Sequence, residues 1–248
     1  MDAVLGAFAV LPALAIGSFL NVVAARLPAK RSIVSPRSAC ASCETPIAWS
    51  DNVPVVSYVL LHGRCRSCGA RIGLIYPAVE LATAGLLAGC LAAFGLTLHT
   101  AAAAIFCSAL VVVTGTDLTH RVVPNRVVLP AAVLVLVLMT AYDPSPQWAV
   151  AGAGAFLFML VAALAYPSGL GMGDVKLALL MGVALGRTVP VALLVGMFAA
   201  LVPSVVLLVR HGAKARKMAI PFAPFLALGS VVALFAGDAL LDAYLSVF

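Results

Sequence analysis

Long apolar runs separated by proline, glycine and charged residues constrain the fold of this chain more than any other feature. Of its 248 residues, 64% are hydrophobic and 10% charged, whereas a soluble domain is nearer half apolar and a quarter charged. Several runs reach about 20 residues, enough to cross a bilayer as a helix. They do not alternate apolar and polar positions as barrel strands do. The sequence therefore predicts an all-α polytopic membrane protein.

We predict about eight transmembrane helices, at residues 4–25, 77–95, 99–117, 127–142, 148–166, 177–187, 189–209 and 221–246. The first run lacks the basic flank that precedes a cleaved signal peptide, because its only early charge is Asp2. We expect it to be retained with an outside N-terminus. The run at 177–187 is too short to cross alone without tilt or support from its neighbours.

The positions of the basic residues test this arrangement. Eight spans put the loops 26–76, 118–126, 167–176 and 210–219 on one side, and only Arg187 of the fifteen Lys and Arg residues lies elsewhere. Loops with such an excess are cytoplasmic by the positive-inside rule. The formal charge of +6 is therefore assigned to topology and not to nucleic-acid binding. The basic run 210–217 is interpreted as an anchor to membrane lipid headgroups.

The polar segment 26–76 carries two CxxC pairs, Cys40/Cys43 and Cys65/Cys68. Their spacing is close to that of a zinc ribbon, in which four thiolates surround one Zn²⁺. The alternative is a pair of disulfides, which a reducing cytoplasm disfavours. Four cysteines leave no open coordination position, so the predicted zinc is structural. This segment separates a first transmembrane helix, 1–25, from a membrane-embedded domain, 77–248.

The stretch Gly171-Met172-Gly173-Asp174-Val175-Lys176 lies between two apolar runs and carries charge where the sequence has almost none. Its glycines predict a backbone bend, and an ionisable residue beside a span is a candidate functional residue. Of the nine acidic residues, Asp117, Asp174 and Glu80 fall at cytoplasmic helix ends. The topology puts Asp117 and Asp174 at the same depth on the same side.

Two carboxylates that share a site do not both ionise easily, so the pair holds one proton and can activate a water, as in aspartic proteases. A second interpretation is a pair of helix-end carboxylates that form salt bridges with Arg121 or Lys176. A third is a transporter with a carboxylate proton relay, although such groups usually lie near the midplane in matching repeats. The sequence pattern alone leaves these alternatives open.

Asp117 with Val123-Pro124 shortly after it, and GMGDVK at 171–176, resemble the two aspartate motifs of the type IV prepilin peptidase family, bacterial GxGD-type intramembrane aspartic proteases. Three further regions resemble signatures of that family: GSFLNVV at 17–23 with RLP at 26–28, WSDNVPVVSY at 49–58 with GRCR at 63–66, and IPFAPFLALG at 220–229. The resemblance covers nearly the whole chain. Presenilin-like and preflagellin peptidases, an alternative reading of the aspartates, lack the four-cysteine loop.

The resemblance implies a peptidase of the bacterial inner membrane that removes basic leader peptides from type IV prepilins or pseudopilins, after a glycine and on the cytoplasmic side. By position, Asp117 and Asp174 would be the catalytic pair. Gly171, Gly173 and Lys176 would form the active-site loop, with Lys176 as an interfacial anchor, and Cys40, Cys43, Cys65 and Cys68 would hold the zinc.

Family members with the cysteine loop also methylate the new N-terminal amine with S-adenosylmethionine. No residue of this sequence identifies a site for that methyl donor. Where the family usually has Arg-Tyr-Pro, this chain has Ile75-Tyr76-Pro77, so that Glu80 is expected to lack a partner. A peptidase without methyltransferase activity is the alternative that this departure leaves open.

Overall fold

The computed structural model of the chain describes residues 2–166, 170–212 and 220–246, with side chains from residue 10 onward. Nine α-helices lie in these ranges: α1 Asp2–Arg26, α2 Val56–Leu60, α3 Ile75–Phe94, α4 Leu98–His120, α5 Asn125–Tyr142, α6 Gln147–Ala165, α7 Met172–Leu185, α8 Val189–His211 and α9 Ala223–Leu245. Short 3₁₀ helices cover Trp49–Asn52 and Gly186–Thr188. No strand longer than a single bridge occurs in the described ranges.

The protein is an all-helical, multi-pass membrane protein. Six segments of the described chain are long and apolar enough to cross a membrane, when α7 and α8 are taken as one segment, Met172–His211. The part of α1 with described side chains, Val10–Arg26, is a shorter apolar helix. Each predicted span coincides with one long helix, and the largest boundary error is at α7. That helix begins at Met172 and not at 177, and Gly171 directly before it is extended.

The chain forms two compact units, Met1–Ala92 and Ala93–Phe248. In the first unit, α1 packs closely on α3 because Gly17 has no side chain: a Cβ there would lie 2.7 Å from the Cα of Glu80. The cysteine loop connects these two helices, and α2 lies within it.

The second unit is a bundle of α4–α9 around α7. Ten of the fourteen residues of α7 are buried, and the helix packs against α5 and α6. A Cβ at Gly182 would collide with the carbonyl oxygen of Ala151, so α6 and α7 approach through backbone. Small residues allow such approach in membrane bundles, where helices gain from close van der Waals packing. The short predicted span is thus supported on several sides by its neighbours.

Candidate active site and metal centre

Asp117 lies in the last complete turn of α4 and is 6% exposed. Its Oδ2 accepts a hydrogen bond of 3.1 Å from the backbone N–H of Ala223, the first residue of α9. Free N–H groups at a helix start are natural partners for a carboxylate. The helix ends at His120, three residues after Asp117, because Arg121 adopts a left-handed conformation and Pro124 precedes α5. Asp117 is therefore held at the junction of two helices.

Asp174 lies in the first turn of α7 and is 9% exposed. Its backbone N–H donates to the carbonyl of Gly171 at 3.0 Å. Its carboxylate turns back over Gly171, where a Cβ would lie 3.4 Å from Asp174 Oδ2. The glycine thus leaves space beside the acid. Gly173 and Lys176 were expected in a loop, but they belong to the first two turns of α7, and only Gly171 precedes the helix.

The two aspartates are brought together. Helices α4 and α7 contact one another, and the Asp117 carboxylate interacts electrostatically with that of Asp174. A second close approach holds the start of α7, because a Cβ on Gly173 would lie 2.7 Å from Cβ of Val123. The segment between α4 and α5 therefore packs directly against the turn that carries Asp174.

The salt-bridge interpretation of these aspartates is wrong for the described part of the chain. Neither aspartate forms an ion pair there. Arg121 instead caps α4 through its backbone N–H, which donates to the carbonyl of Asp117. Lys176 donates from Nζ to Oδ1 of Asn125 at 3.1 Å, so it ties α7 to the start of α5. Among the described residues the aspartates therefore lack a direct ion pair, although the charge of Arg121 acts on the Asp117 carboxylate.

The four loop cysteines converge. The ligand atoms of Cys40, Cys43, Cys65 and Cys68 all lie within 4.8 Å of one another, and Sγ of Cys40 is 3.8 Å from Sγ of Cys68. A tetrahedral ion with Zn–S bonds of about 2.3 Å has sulfurs roughly 3.8 Å apart. All four are free thiols, so the alternative of paired disulfides is not what the structure contains. The thiols fit a four-coordinate metal site.

Each CxxC pair sits on a tight hairpin with the same hydrogen bonds. In the first, the N–H of Cys40 donates to the carbonyl of Thr45, and the N–H of Glu44 donates to the carbonyl of Cys40. In the second, Cys65 N–H donates to Ala70 and Gly69 N–H donates to Cys65. The residue after each pair has a positive φ, 58° at Glu44 and 71° at Gly69. Both sulfur pairs are therefore positioned by short-range backbone bonds.

The hairpins also affect the acidity of the thiols. The backbone N–H of Cys43 lowers the pKa of Cys40, and that of Cys68 lowers the pKa of Cys65. The hydrogen bond with the Thr45 hydroxyl lowers the pKa of Cys43. At Cys68 the N–H of Ala70 also lowers the pKa, but hydrogen bonds with the other thiols and desolvation outweigh it and raise the pKa to about 11. Four adjacent thiolates thus require a cation, as in a metal site.

Two contacts near these sites were not anticipated from the sequence. Arg66, between the cysteines of the second hairpin, makes a bidentate ion pair with Asp51 at 2.7 and 2.8 Å. The second contact is the hydrogen bond from the N–H of Ala223 to Asp117. No local sequence signal indicates a backbone donor from a distant helix.

The expectation that Glu80 lacks a partner is wrong. Its Oε2 accepts a hydrogen bond of 2.8 Å from the backbone N–H of Val55, and the residue is 7% exposed. The backbone N–H of Val55 is thus a hydrogen-bond donor to Glu80, although Ile75 stands where the family usually has an arginine. The predicted lipid-anchoring run at 210–217 lies largely outside the described residues.

Comparison with known proteins gives a consistent result. Residues 11–94 match the bacterial peptidase A24 N-terminal domain, and residues 104–205 match the type IV leader peptidase family. The chain is 33% identical to the prepilin leader peptidase/N-methyltransferase of Bacillus subtilis, over 94% of this chain and 95% of that protein.

Two further relatives carry the same name. The protein of Burkholderia pseudomallei is 36% identical over 93% of this chain and 85% of its own length. That of Pseudomonas aeruginosa is 34% identical over 95% of this chain and 92% of its own length. No solved structure gives a significant match to the chain.

Proposed function

This chain belongs to the type IV leader peptidase family, and from that premise we propose that it removes the basic leader peptide from type IV prepilins or pseudopilins and then methylates the new N-terminal residue. The observation that carries the peptidase half is the approach of Asp117 and Asp174, two buried carboxylates on different helices without a described ion-pair partner. Transport by a proton relay is not favoured, since the family is a peptidase family.

In the proposed cleavage the two aspartates share one proton. The ionised carboxylate removes a proton from a water, and the water oxygen forms a bond to the carbonyl carbon of the leader's last glycine. The protonated carboxyl donates to the carbonyl oxygen, where charge gathers in the tetrahedral intermediate. When the C–N bond breaks, the leaving amine takes one proton from the pair, and a hydroxyl of the intermediate returns one proton to the pair as the new carboxyl group forms. Each aspartate ends the cycle ready for the next water.

The surroundings suit these roles. The N–H of Ala223 binds Oδ2 of Asp117 and so fixes this carboxylate at the start of α9. Gly171 keeps the space beside the Asp174 carboxylate free of a side chain, so an extended peptide backbone could approach. Lys176, engaged with Asn125, acts in this proposal as a link between α7 and α5 and not as a proton donor.

The proposed active site faces the cytoplasm, with the N-terminus outside. Support comes from the basic residues, which fall in the loops on the side of Asp117 and Asp174, with the exception of Arg187. The inner membrane of a bacterium is the proposed location. Free thiols in the loop fit that side as well, because the cytoplasm keeps cysteines reduced.

The metal proposed for Cys40, Cys43, Cys65 and Cys68 is a structural Zn²⁺, supported by the sulfur separation and by the lowered pKa of the first three thiols. It would join the two hairpins and supply no open position for substrate. S-adenosylmethionine is proposed as the co-substrate that supplies the methyl group. The alternative, a peptidase without methylation, loses its main motivation because Glu80 has a backbone partner.

The decisive experiment incubates a synthetic prepilin with the purified protein in lipid, with and without S-adenosylmethionine, and measures product masses. We expect a shortened product that gains one methyl mass only with the co-substrate. Cleavage without that gain would remove the methyltransferase half of the proposal. Intact prepilin under both conditions, with a correctly folded protein, would refute the peptidase half.

A further inference from the structure

Helix α2 exposes its aliphatic side chains and buries its serine. Ser57 is 6% exposed, whereas Val56, Val59 and Leu60 are 46%, 64% and 71% exposed. The Ser57 hydroxyl is fully used, since it donates to the carbonyl of Ser50 and accepts from the N–H of Val53, both at 3.0 Å. A helix that faces water shows the opposite arrangement, with its polar face outward. The exposed face of α2 is therefore built for an apolar environment.

A hydrogen bond holds the start of α2 against α3, at a level inside that membrane span. The N–H of Val55 donates to the carboxylate of Glu80, which lies five residues after Ile75 at the start of α3. A rise of about 1.5 Å per residue puts Glu80 roughly 8 Å inside that span. Glu80 faces Gly17 of α1, nine residues before α1 ends at Arg26. The hydrogen bond thus holds α2 at a level that lies inside both helices.

The residue before α2 already packs among membrane side chains. Val55 contacts the buried cluster of Ala13, Leu14 and Ala84, which belong to α1 and α3. Its φ of 59°, unusual for a β-branched residue, turns the chain so that its N–H reaches Glu80 while α2 continues away from that cluster. This part of the cysteine loop returns from the water side to the apolar part of its own unit.

From these contacts we infer that α2 is an interfacial helix whose face Val56, Val59 and Leu60 lies against lipid acyl chains near the headgroups. The neighbouring residues suit that depth. Trp49, in the 3₁₀ helix that contacts α2, is 87% exposed, and tryptophan favours the boundary between headgroup and hydrocarbon. Arg64, which follows α2 and is exposed, carries a positive charge complementary to anionic headgroups. The occupant of this face is therefore lipid.

The test adds one tryptophan to the full chain and reads only the added fluorescence. Leu60→Trp places the probe on the α2 face, and Val34→Trp places it at an exposed position of the same loop, 84% accessible in the parent. Both variants and the parent are reconstituted into vesicles of phosphatidylethanolamine and phosphatidylglycerol, with or without a lipid that carries a doxyl quencher near the headgroup. Trp49 and Trp148 stay in the chain, and subtraction of the parent spectrum removes their emission.

We expect the added emission of Leu60→Trp to shift to shorter wavelength and to be quenched by the doxyl lipid but not by aqueous iodide. The Val34→Trp emission should show the reverse. Long-wavelength emission of Leu60→Trp that iodide quenches would overturn the inference. Short-wavelength emission that neither quencher reaches would also overturn it, because the face would then be covered by protein.

The Glu80 contact provides a second test. In the Leu60→Trp chain, Glu80→Ala removes the acceptor of the Val55 N–H, so doxyl quenching should fall. Glu80→Gln keeps a carbonyl acceptor and should preserve the quenching. Equal quenching in all three chains would show that this hydrogen bond does not hold α2 in the lipid.

Discussion

The cysteine cluster and the aspartate pair reach their geometry by different routes. The cysteines are positioned within two short hairpins by backbone hydrogen bonds that span only a few residues. The aspartates lie on separate helices, and Asp117 is held by a donor from a third, since Ala223 N–H binds its carboxylate. A locally built site can be lost without the rest of the fold, whereas the aspartate site depends on how the bundle packs.

The sites also differ in how charge is balanced. The thiols sit in a polar, exposed loop where backbone and hydroxyl hydrogen bonds lower the pKa of three of them, and a metal would neutralise the set. The aspartates are buried and have no ion pair with a described cation. Carboxylates in that state favour proton sharing over double ionisation. One site is suited to hold an ion permanently and the other to exchange protons.

Loss of either aspartate should have the largest effect. In Asp117→Asn or Asp174→Asn the side chain keeps its shape but can no longer exchange a proton. Cleavage should therefore fall about 10³-fold, the middle of the range for general acid–base catalysis. The rate is measured on a synthetic prepilin in lipid. Asp242→Asn is the control, since this residue is exposed at the opposite helix end. Cleavage by Asp174→Asn at the parent rate would refute the catalytic pair.

Loss of a cysteine should destroy the metal centre and spare the bundle. In Cys65→Ser the hairpin loses a thiolate, so we expect bound zinc to fall from one per chain to none, because structural affinity depends on all four ligands. Metal analysis and hydrogen exchange report the result, with faster exchange in the loop and unchanged exchange in α4–α9. Ser67→Ala, between the same cysteines, should keep its zinc. Full metal content in Cys65→Ser would exclude the proposed ligand set.

Displacement of α7 should have an intermediate effect. In Gly173→Ala the new methyl would lie 2.7 Å from Val123 Cβ, which pushes the turn of Asp174 from its place. A misplacement near 1 Å lowers cleavage about 10²-fold. Val123→Ala in the same chain should restore much of the rate by making room, a coupling that a double-mutant cycle measures.

The matched control for that cycle is Gly154→Ala in α6, where a Cβ meets nothing within 4 Å. It should cleave at the parent rate. If Gly173→Ala did so too, the contact with Val123 would not position Asp174.

The smallest effect should come from the left-handed residue of the first hairpin. Glu44 has the same positive φ as Gly69, and a side chain there costs roughly 1 kcal/mol. Glu44→Gly should therefore tighten zinc binding by about fivefold at most, and by less because glycine has greater freedom in the unfolded loop. Competition with a chelator measures the change. Gly69→Ala should weaken zinc binding. If both substitutions tightened zinc binding, or both weakened it, the left-handed backbone would not be the cause.

Much of the fold could be predicted because the signals are local. The apolar runs specify the spans, and the CxxC spacing predicts the convergence of the thiols. Helix boundaries were less predictable at α7, since the glycines of 171–173 favour a bend in isolation while packing on Val123 permits a helix from Met172. The partner of Glu80 was also beyond sequence reading, because a backbone N–H leaves no mark in the identity of the residue that supplies it.

The sequence by itself determined that this is a multi-pass helical membrane protein, which residues could ligate a metal and which acids lie at one membrane face, because hydropathy, charge and cysteine spacing are properties of neighbouring residues. Only the tertiary structure decided that Asp117 and Asp174 lie near enough to interact electrostatically, that Ala223 holds Asp117, and that α2 turns its aliphatic side chains outward. These depend on backbone groups and on glycine contacts between segments distant in the chain. Such contacts exist only once the helices have packed.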